Sequence, residues 1–390
     1  LLLGRGAFRL PGRVLALGLG LGLVQAFFQY AYVEAVTYAG VGIATAIELC
    51  LAPVLVATLS AIILRERPDR LIIGAIIFAA VGTIVLAALL LALLALAALA
   101  CGSAGFGWGT NGELFMLRLP RVPAALAAGL ALGLGGANQQ GVFRNPLADP
   151  GLTGVFGGAL LGIALLLAGA TEFTWNHRWA LPAAAFGGAL ATSAVLVWLG
   201  RGRSTTKLLL TGLGLNAFTA AGTLLIAARF PEARDILVNG AAGDWLGTAT
   251  LELTWLPILG CILAALLLLT QASALDRLAL GEDMAFCLGT DVAQTRRQGV
   301  LLTALAAAAA ICLVGQVAFI GLLAPHLARA LVGPRHRAML PLAGLLGAGL
   351  LLLADTLGRS LWPQTPISAA AMTALLGAPA FVWIASRRHE

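Results

Sequence analysis

Apolar runs of about 20 residues recur along this chain, and a helix of that length spans the roughly 30 Å hydrocarbon core of a bilayer. Only 11% of the 390 residues are charged, against about 25% in a typical soluble domain. A transmembrane β-barrel would instead show alternating segments of about ten residues. The sequence therefore predicts an all-α, polytopic membrane protein.

Turns and small residues divide and organise these runs. The motif Arg144–Pro150 contains two prolines and an asparagine, so it cannot continue a helix. Small residues four apart, at Gly129 and Gly133 and again at Gly158 and Gly162, favour close packing between membrane helices. The twelve expected spans are residues 14–32, 41–64, 71–101, 122–140, 151–170, 181–199, 207–228, 253–271, 299–314, 319–332, 338–357 and 367–385.

One uncharged stretch is too long for a simple crossing. No charge occurs from Leu71 to Gly112. A helix from Leu71 to Cys101 would be about 46 Å long at 1.5 Å per residue, which exceeds the bilayer core. Because residues 84–100 contain no turn-forming residue, we expect one long or tilted crossing rather than two.

The basic residues indicate the orientation. Twelve spans place both termini on one side of the membrane, and with that side inside, most of the 24 Lys and Arg residues fall in inner loops and tails. This bias accounts for the net charge of +7. Lys207 is the only lysine, which excludes a lysine-rich patch for nucleic acid. We predict cytoplasmic termini and no nucleic-acid partner.

A polar island, residues 275–297, interrupts the apolar pattern between two spans and carries seven charged residues. Gly281 can begin a short helix whose first turn holds Glu282 and Asp283, which suits the helix dipole. Gly289 is placed to end that helix, and Thr290 is a candidate N-cap for the next one. The pattern favours a docking element for another protein, with an ordinary solvated loop as the alternative.

Several motifs in order resemble the permease subunits of type II ABC importers, the FecCD-type family. Residues 275–289 look like the coupling loop of those proteins. The resemblance covers about residues 86–390. The other matching segments are Arg118–Arg121, Gln140–Pro150, Phe319–Arg329, His336–Pro341, Leu353–Arg359 and Thr373–Pro379.

The resemblance implies a ten-helix subunit that homodimerises in a bacterial inner membrane and imports iron–siderophore, haem or cobalamin-like chelates. The loop would seat on a separate ABC ATPase, and a periplasmic or lipid-anchored substrate-binding protein would deliver the chelate. The implied coupling residues are Leu278, Leu280, Gly281, Glu282, Met284, Ala285, Leu288 and Gly289. The implied structural motif residues are Arg118, Pro120, Arg121, Asn145, Pro146, Pro150, Pro325, His326 and Arg329.

Charged residues expected on the outer side could dock the binding protein, or they could simply be a hydrated loop. Asp355 and Arg359, four apart near the outer end of an expected span, favour a local pair within one helix, with a functional site as the alternative. Gln364-Thr-Pro366 stands where the family has Glu-Leu-Pro, which puts contacts on that side in question. The docking candidates are Arg229, Arg234, Asp244 and Arg359.

The chain has no GxxxxGK[ST] motif, so it cannot hold ATP phosphates in a P-loop. We therefore expect no enzymatic activity and no cofactor on this chain, with ATP and Mg²⁺ bound by the partner ATPase. No metal site is expected, because the four histidines are not spaced as a ligand set. Pro325 next to His326 more plausibly kinks a helix.

The first 85 residues fall outside this resemblance. Tyr30–Leu86 is similar to the last helices of a drug/metabolite-transporter (EamA-type) repeat, carried by Ala35–Gly42, Pro53 and Leu64-Arg-Glu66. The sequence thus predicts two regions, 1–85 and 86–390. Two alternatives stay open: a secondary drug/metabolite transporter and a non-transporting fusion product.

Overall fold

The computed structural model describes residues 70–102, 105–106, 113–169, 179–200, 205–231, 234, 236–238, 245–361 and 364–386. The predicted spans 14–32 and 41–64, most of the EamA-like region and the docking candidate Asp244 lie outside these residues. The chain divides into two compact units, Leu1–Leu86 and Ala87–Glu390. The second unit carries the candidate site.

The described residues form thirteen α-helices, which confirms the predicted all-α class. A two-residue antiparallel ladder joins β1 (Cys101–Gly102) to β2 (Gly105–Phe106). Two short 3-10 helices cover Pro150–Thr153 and Trp245–Thr248. The helices are α1 Arg70–Ala100, α2 Glu113–Arg118, α3 Arg121–Phe143, α4 Val155–Gly169, α5 Ala180–Leu199, α6 Thr205–Arg229, α7 Leu251–Thr270, α8 Ala272–Ala279, α9 Glu282–Cys287, α10 Val292–Val314, α11 Ile320–Val332, α12 His336–Leu361 and α13 Ala369–Ser386.

Helix α1 is a single helix of 31 residues, which confirms that no turn divides this uncharged stretch into two helices. Within the described ranges, six helices are long and apolar enough to cross a membrane. Helices α4 and α11 and the stretch Ala369–Pro379 are shorter apolar helices. Helix α3 is buried along most of its length, and α7, α10, α11 and α12 pack around it. It is the central helix of the second unit.

Small residues bring helix backbones into contact, as their four-residue spacing predicted. A Cβ at Gly129 would lie 2.5 Å from the carbonyl oxygen of Gly347, and one at Gly133 would collide with Ala343. These contacts join α3 to α12. Gly158 and Gly162 pack in the same way against residues 184–188 of α5. Because lipid does not drive helices together as water does, close backbone packing of this kind holds such pairs.

Two helix starts differ by four or more residues from the sequence-based boundaries. Helix α4 begins at Val155, later than expected, because the preceding residues form a 3-10 turn capped by Asp149. Helix α10 begins at Val292, earlier than expected, and its N-cap is Asp291, whose carboxylate accepts a 2.9 Å hydrogen bond from the amide of Gln294. The prediction that Thr290 caps this helix was wrong.

Candidate functional site

The polar island folds into two short helices, α8 and α9, joined by a sharp turn; residues 272–289 are called the knob below. Gly281 has a φ of 115° and Gly289 a φ of 77°. A Cβ at either position would meet nothing within 4 Å, so these glycines serve backbone conformation rather than space. Gly281 precedes α9 and Gly289 follows it, as the sequence predicted.

The knob has an anchoring side and an exposed apolar side. Leu275, Leu278 and Ala285 are each 0% exposed and hold it against the helix bundle. Four large apolar side chains point outward instead, which is unusual on an aqueous surface and typical of a contact site. They are Leu280, 65% exposed, Met284, 54%, Phe286, 74%, and Leu288, 48%.

Polar contacts fix the knob to α10 and hold its two short helices together. The Glu282 carboxylate binds the Arg296 guanidinium of α10 at 2.7 Å. Arg277 donates to the carbonyl oxygens of Ser273 and Leu288 at 3.2 and 3.3 Å. Each short helix is therefore held in a defined position.

One carboxylate oxygen links the knob to α12. Asp276 Oδ1 accepts a 2.8 Å hydrogen bond from the backbone amide of His336, the first residue of α12. The ring Nδ1 of His336 lies 2.8 Å from the same oxygen. This link was absent from the sequence-based site, because the two residues lie 60 positions apart.

At the opposite end of α12, the motif Arg118–Arg121 meets Asp355 and Arg359; these four side chains are called the arginine clamp. Arg121 Nη2 lies 2.6 Å from Asp355 Oδ1, and Arg121 Nε contacts both carboxylate oxygens at 2.9 and 3.1 Å. Arg118 donates to the carbonyl of Leu99 at 2.9 Å, and Arg359 donates to the carbonyls of Ala98 and Cys101. The clamp thus supplies the hydrogen bonds that the end of α1 lacks.

The predicted local pair exists but is only part of this cluster. Arg359 Nε lies 3.3 Å from Asp355 Oδ2, whereas Arg121, from another helix, makes the shorter contacts to the same carboxylate. Arg359 is only 4% exposed. Its guanidinium binds inside the protein, so the structure does not place it on an outer docking surface as predicted. Arg229 and Arg234 are exposed, and so is Gln364.

Buried amides of α3 bind the neighbouring helices. Asn138 donates to Thr303 Oγ1 and to the carbonyl of Gly299, both at 2.9 Å. Gln140 Oε1 accepts from Arg329 Nη2 of α11 at 3.1 Å, which brings together two of the sequence-predicted motifs. Pro325 is buried inside α11, and the neighbouring His326 is half-buried.

The Arg144–Pro150 motif forms the predicted turn and packs on the start of α11. Arg144 adopts a left-handed conformation with a φ of 49°, and Asn145 Oδ1 accepts from the amide of Leu147 at 3.0 Å. A Cβ at Gly321 would lie 2.8 Å from Cδ of Pro150. Pro146, in the middle of the turn, is half-buried.

Asp149 is the capping residue of this turn. Its Oδ1 accepts from the amide of Gly151 at 2.8 Å. Burial raises the pKa of Asp149 to about 6, and the hydrogen bond from Gly151 opposes that rise. Among the described residues, no group of three His, Cys, Asp or Glu side chains is placed to hold a metal ion.

Comparisons with known proteins agree with this architecture. The sequence profile of the FecCD transport family matches residues 84–387, and that of the EamA-like transporter family matches residues 1–88. The chain is 40% identical over 277 residues to the ferric enterobactin transport system permease protein of Escherichia coli, covering 70% of this chain and 81% of that protein. It is 38% identical over 283 residues to the hemin transport system permease protein of Yersinia pestis, covering 70% and 83%.

A solved structure supports the same assignment. It is described as a metal-chelate type ABC transporter in an inward-facing conformation, and it is 30% identical in sequence with a TM-score of 0.70. The match covers 78% of this chain and 98% of the other. The chain therefore belongs to the FecCD transport family, and it is a polytopic permease of the ABC importer class, not an enzyme.

Proposed function

We propose that this chain is the membrane subunit of an ATP-driven importer for an iron–siderophore, haem or cobalamin-like chelate. It works as a homodimer in a bacterial inner membrane with both termini in the cytoplasm. A separate ATPase binds and hydrolyses ATP with Mg²⁺, and a periplasmic or lipid-anchored binding protein supplies the chelate. The chain itself holds no cofactor.

The exposed apolar side of the knob is the observation that carries this proposal. Leu280, Met284, Phe286 and Leu288 occupy one short, water-facing segment, while the residues behind them are fully buried. Burying such side chains against another protein is favourable, at about 25 cal/mol per Å² of apolar surface. A rigid element with an unpartnered apolar surface can receive force from an ATPase that changes shape.

The substrate assignment comes from the relatives rather than from a binding residue. The family members compared above are named for ferric enterobactin and hemin transport. Arg229 and Arg234 are exposed, and we propose that they lie on the outer side and contact the binding protein by charge complementarity. Asp244 is proposed as a third contact from the sequence alone.

The test is reconstitution of the chain with its proposed partner ATPase. Phe286→Asp places a charge in the proposed interface, and we expect ATPase co-purification to fall at least about tenfold, a loss of roughly 1.4 kcal/mol or more. Met116→Asp is the matched control, because Met116 is 67% exposed but belongs to α2, near the arginine clamp. Unchanged ATPase binding by Phe286→Asp would contradict the proposal.

The same proteoliposomes test the alternative suggested by the EamA-like match at residues 1–88. Uptake of ferric enterobactin, haemin or cobalamin that requires ATP, the ATPase and the binding protein supports the importer. Uptake or efflux driven by an ion gradient with no ATPase present would instead support a secondary transporter.

A further inference from the structure

Helix α12 is tied at both ends to different parts of the protein. Its first residue, His336, binds Asp276 of the knob, and Asp355 near its other end binds Arg121 of α3. The 19 residues from His336 to Asp355 correspond to about 29 Å at 1.5 Å per residue. One helix therefore joins the knob to the arginine clamp across roughly the thickness of a bilayer core.

Helices α3 and α12 are packed too closely to slide independently. The backbone of Gly129 meets that of Gly347, and the backbone of Gly133 meets that of Ala343. Interiors packed at this density transmit displacement rather than absorb it. With the ion pair at the Arg121 end, the two helices form one mechanical unit.

His336 lies where the knob meets both helices of this unit. Its side chain is only 7% exposed, and its Nδ1 faces Asp276 of α8. Its Nε2 lies 2.9 Å from the position that a Cβ on Gly141 of α3 would occupy. Cδ2 of Leu275, the residue before Asp276, lies 3.1 Å from that same Cβ position. The imidazole thus fills the space between α8 and α3 while belonging to α12.

The other polar contacts between the knob and the helix bundle are weaker links to the pair of helices α3 and α12. Arg337 reaches Ser273 Oγ at 3.3 Å, but both side chains meet in an exposed position. Glu282 binds Arg296 of α10 with its carboxylate half exposed. Exposed contacts of this kind contribute little free energy. Asp276 is itself 33% exposed, but one of its oxygens accepts from the N-terminus of α12 and also faces the buried ring of His336.

We propose that Asp276 and His336 form the joint that transmits movement of the knob to α12 and α3, and through them to the arginine clamp. Both are positioning residues, since they act through other groups. This inference rests on the proposed function, because it requires an ATPase to bind the knob.

The experiment measures ATP hydrolysis and uptake together in proteoliposomes that contain the ATPase and the binding protein. The probe is whichever of haemin, ferric enterobactin or cobalamin the wild-type complex takes up. In Asp276→Ala, we expect the ATPase to stay bound and ATP hydrolysis to continue, while uptake falls about tenfold or more, the usual size of an allosteric coupling. The ATP consumed per substrate therefore rises by the same factor.

Three further variants distinguish a loss of transmission at Asp276 from a general folding defect. Asp276→Asn keeps an acceptor oxygen and should recover most of the uptake. Asp276→Ala/His336→Ala should be no worse than Asp276→Ala alone, because residues acting as one unit are not additive. Arg337→Gln, which alters the exposed contact between the same helices, should behave like the wild type.

Each remaining result contradicts the inference in a recognisable way. A parallel loss of ATP hydrolysis and uptake in Asp276→Ala would indicate a folding or docking defect, and it would refute the proposed role of Asp276 and His336. Full uptake by Asp276→Ala would overturn it as well. A wild-type chain that binds no ATPase, or takes up none of the three probes with ATP, would instead overturn the proposed function on which the joint depends.

Discussion

Arg121 and Asp355 lie 234 residues apart in the chain, yet they form a bidentate ion pair with a closest N–O distance of 2.6 Å. The side chain of Asp355 is 0% exposed, and that of Arg121 is 20% exposed. Two further arginines, Arg118 and Arg359, complete the clamp by binding the end of α1. The Asp355 carboxylate itself contacts two guanidinium groups, those of Arg121 and Arg359.

Asp355→Asn should destabilise the protein strongly. Breaking a buried ion pair by removing one partner costs about 3–5 kcal/mol, because the other charge stays buried without compensation. Thermal unfolding in detergent should show a clear drop in melting temperature. Asp283→Asn, which neutralises an exposed carboxylate on α9, should melt like the wild type. Equal melting temperatures for both variants would refute this role of Asp355.

Gly136→Ala should prevent normal packing of α3 against α11. The added Cβ would overlap the backbone of Gly321, and backbone cannot move aside as a flexible side chain can. Overpacking of this kind typically costs about 1–3 kcal/mol or more. Yield of monodisperse protein and melting temperature provide the measurement.

Gly187→Ala is the matched control for this substitution. Nothing lies within 4 Å of the Cβ that it adds to α5. Alanine favours the helix over glycine by about 0.5–1 kcal/mol, so this variant should be as stable as the wild type or slightly more stable. If both alanine variants behaved alike, the close contact between α3 and α11 would not be needed.

Glu282→Lys should uncouple ATP hydrolysis from uptake. The substitution places a second cation beside Arg296, where the carboxylate now lies 2.7 Å away, and so repels α9 from α10. Because the Glu282 side chain is half exposed, the pair contributes only about 1 kcal/mol of stability, so the protein should still fold. Uptake per ATP hydrolysed is the quantity to measure.

The double variant Glu282→Lys/Arg296→Glu distinguishes positioning from direct contact. It restores an ion pair of reversed polarity, and it should recover coupling if Glu282 acts by holding α9 in place. Continued uncoupling in the double variant would mean that Glu282 contacts the ATPase directly. If Glu282→Lys alone showed normal coupling, the ion pair between Glu282 and Arg296 would have no role in coupling.

Asp149 should make stability depend on pH between about 4 and 6. Burial raises its pKa from 3.8 to about 6, so the folded protein binds a proton that the unfolded chain releases. The stabilisation that this bound proton gives to the folded protein is fully present below pH 3.8, and it is lost as the pH rises through about 6. At about 1.4 kcal/mol per pKa unit, the effect is a few kcal/mol at most.

Asp149→Asn should remove this pH dependence and raise the melting temperature near pH 7, since its Oδ1 can still accept from Gly151. Unfolding in detergent across the pH range is the measurement. Asp291→Asn changes a capping aspartate that is exposed, and it should keep the wild-type slope. If the melting temperature of Asp149→Asn depended on pH as steeply as that of the wild type, burial of Asp149 would not be the cause of the pH dependence.

Local patterns in the sequence were sufficient for the membrane class, most helices and the shape of the knob. The 31-residue α1 followed from a stretch with no charge and no turn residue, and the turns at Gly281 and Gly289 followed from glycine beside short amphipathic segments. The close contacts at Gly129 and Gly158 followed from their spacing. These features depend on residues that are close together in the chain, so they can be predicted from the sequence.

The tertiary structure alone decided which distant charges meet. Nothing in the spacing of Arg121, Asp276, His336 and Asp355 indicates that they pair as they do, and Arg359 looked like a surface residue until its burial was known. Such pairing depends on which faces of the helices are brought together. Packing along the whole length of α3 and α12 decides which faces meet. The chain alone therefore predicted a membrane permease with a polar knob, and only the folded protein linked that knob to the arginine clamp.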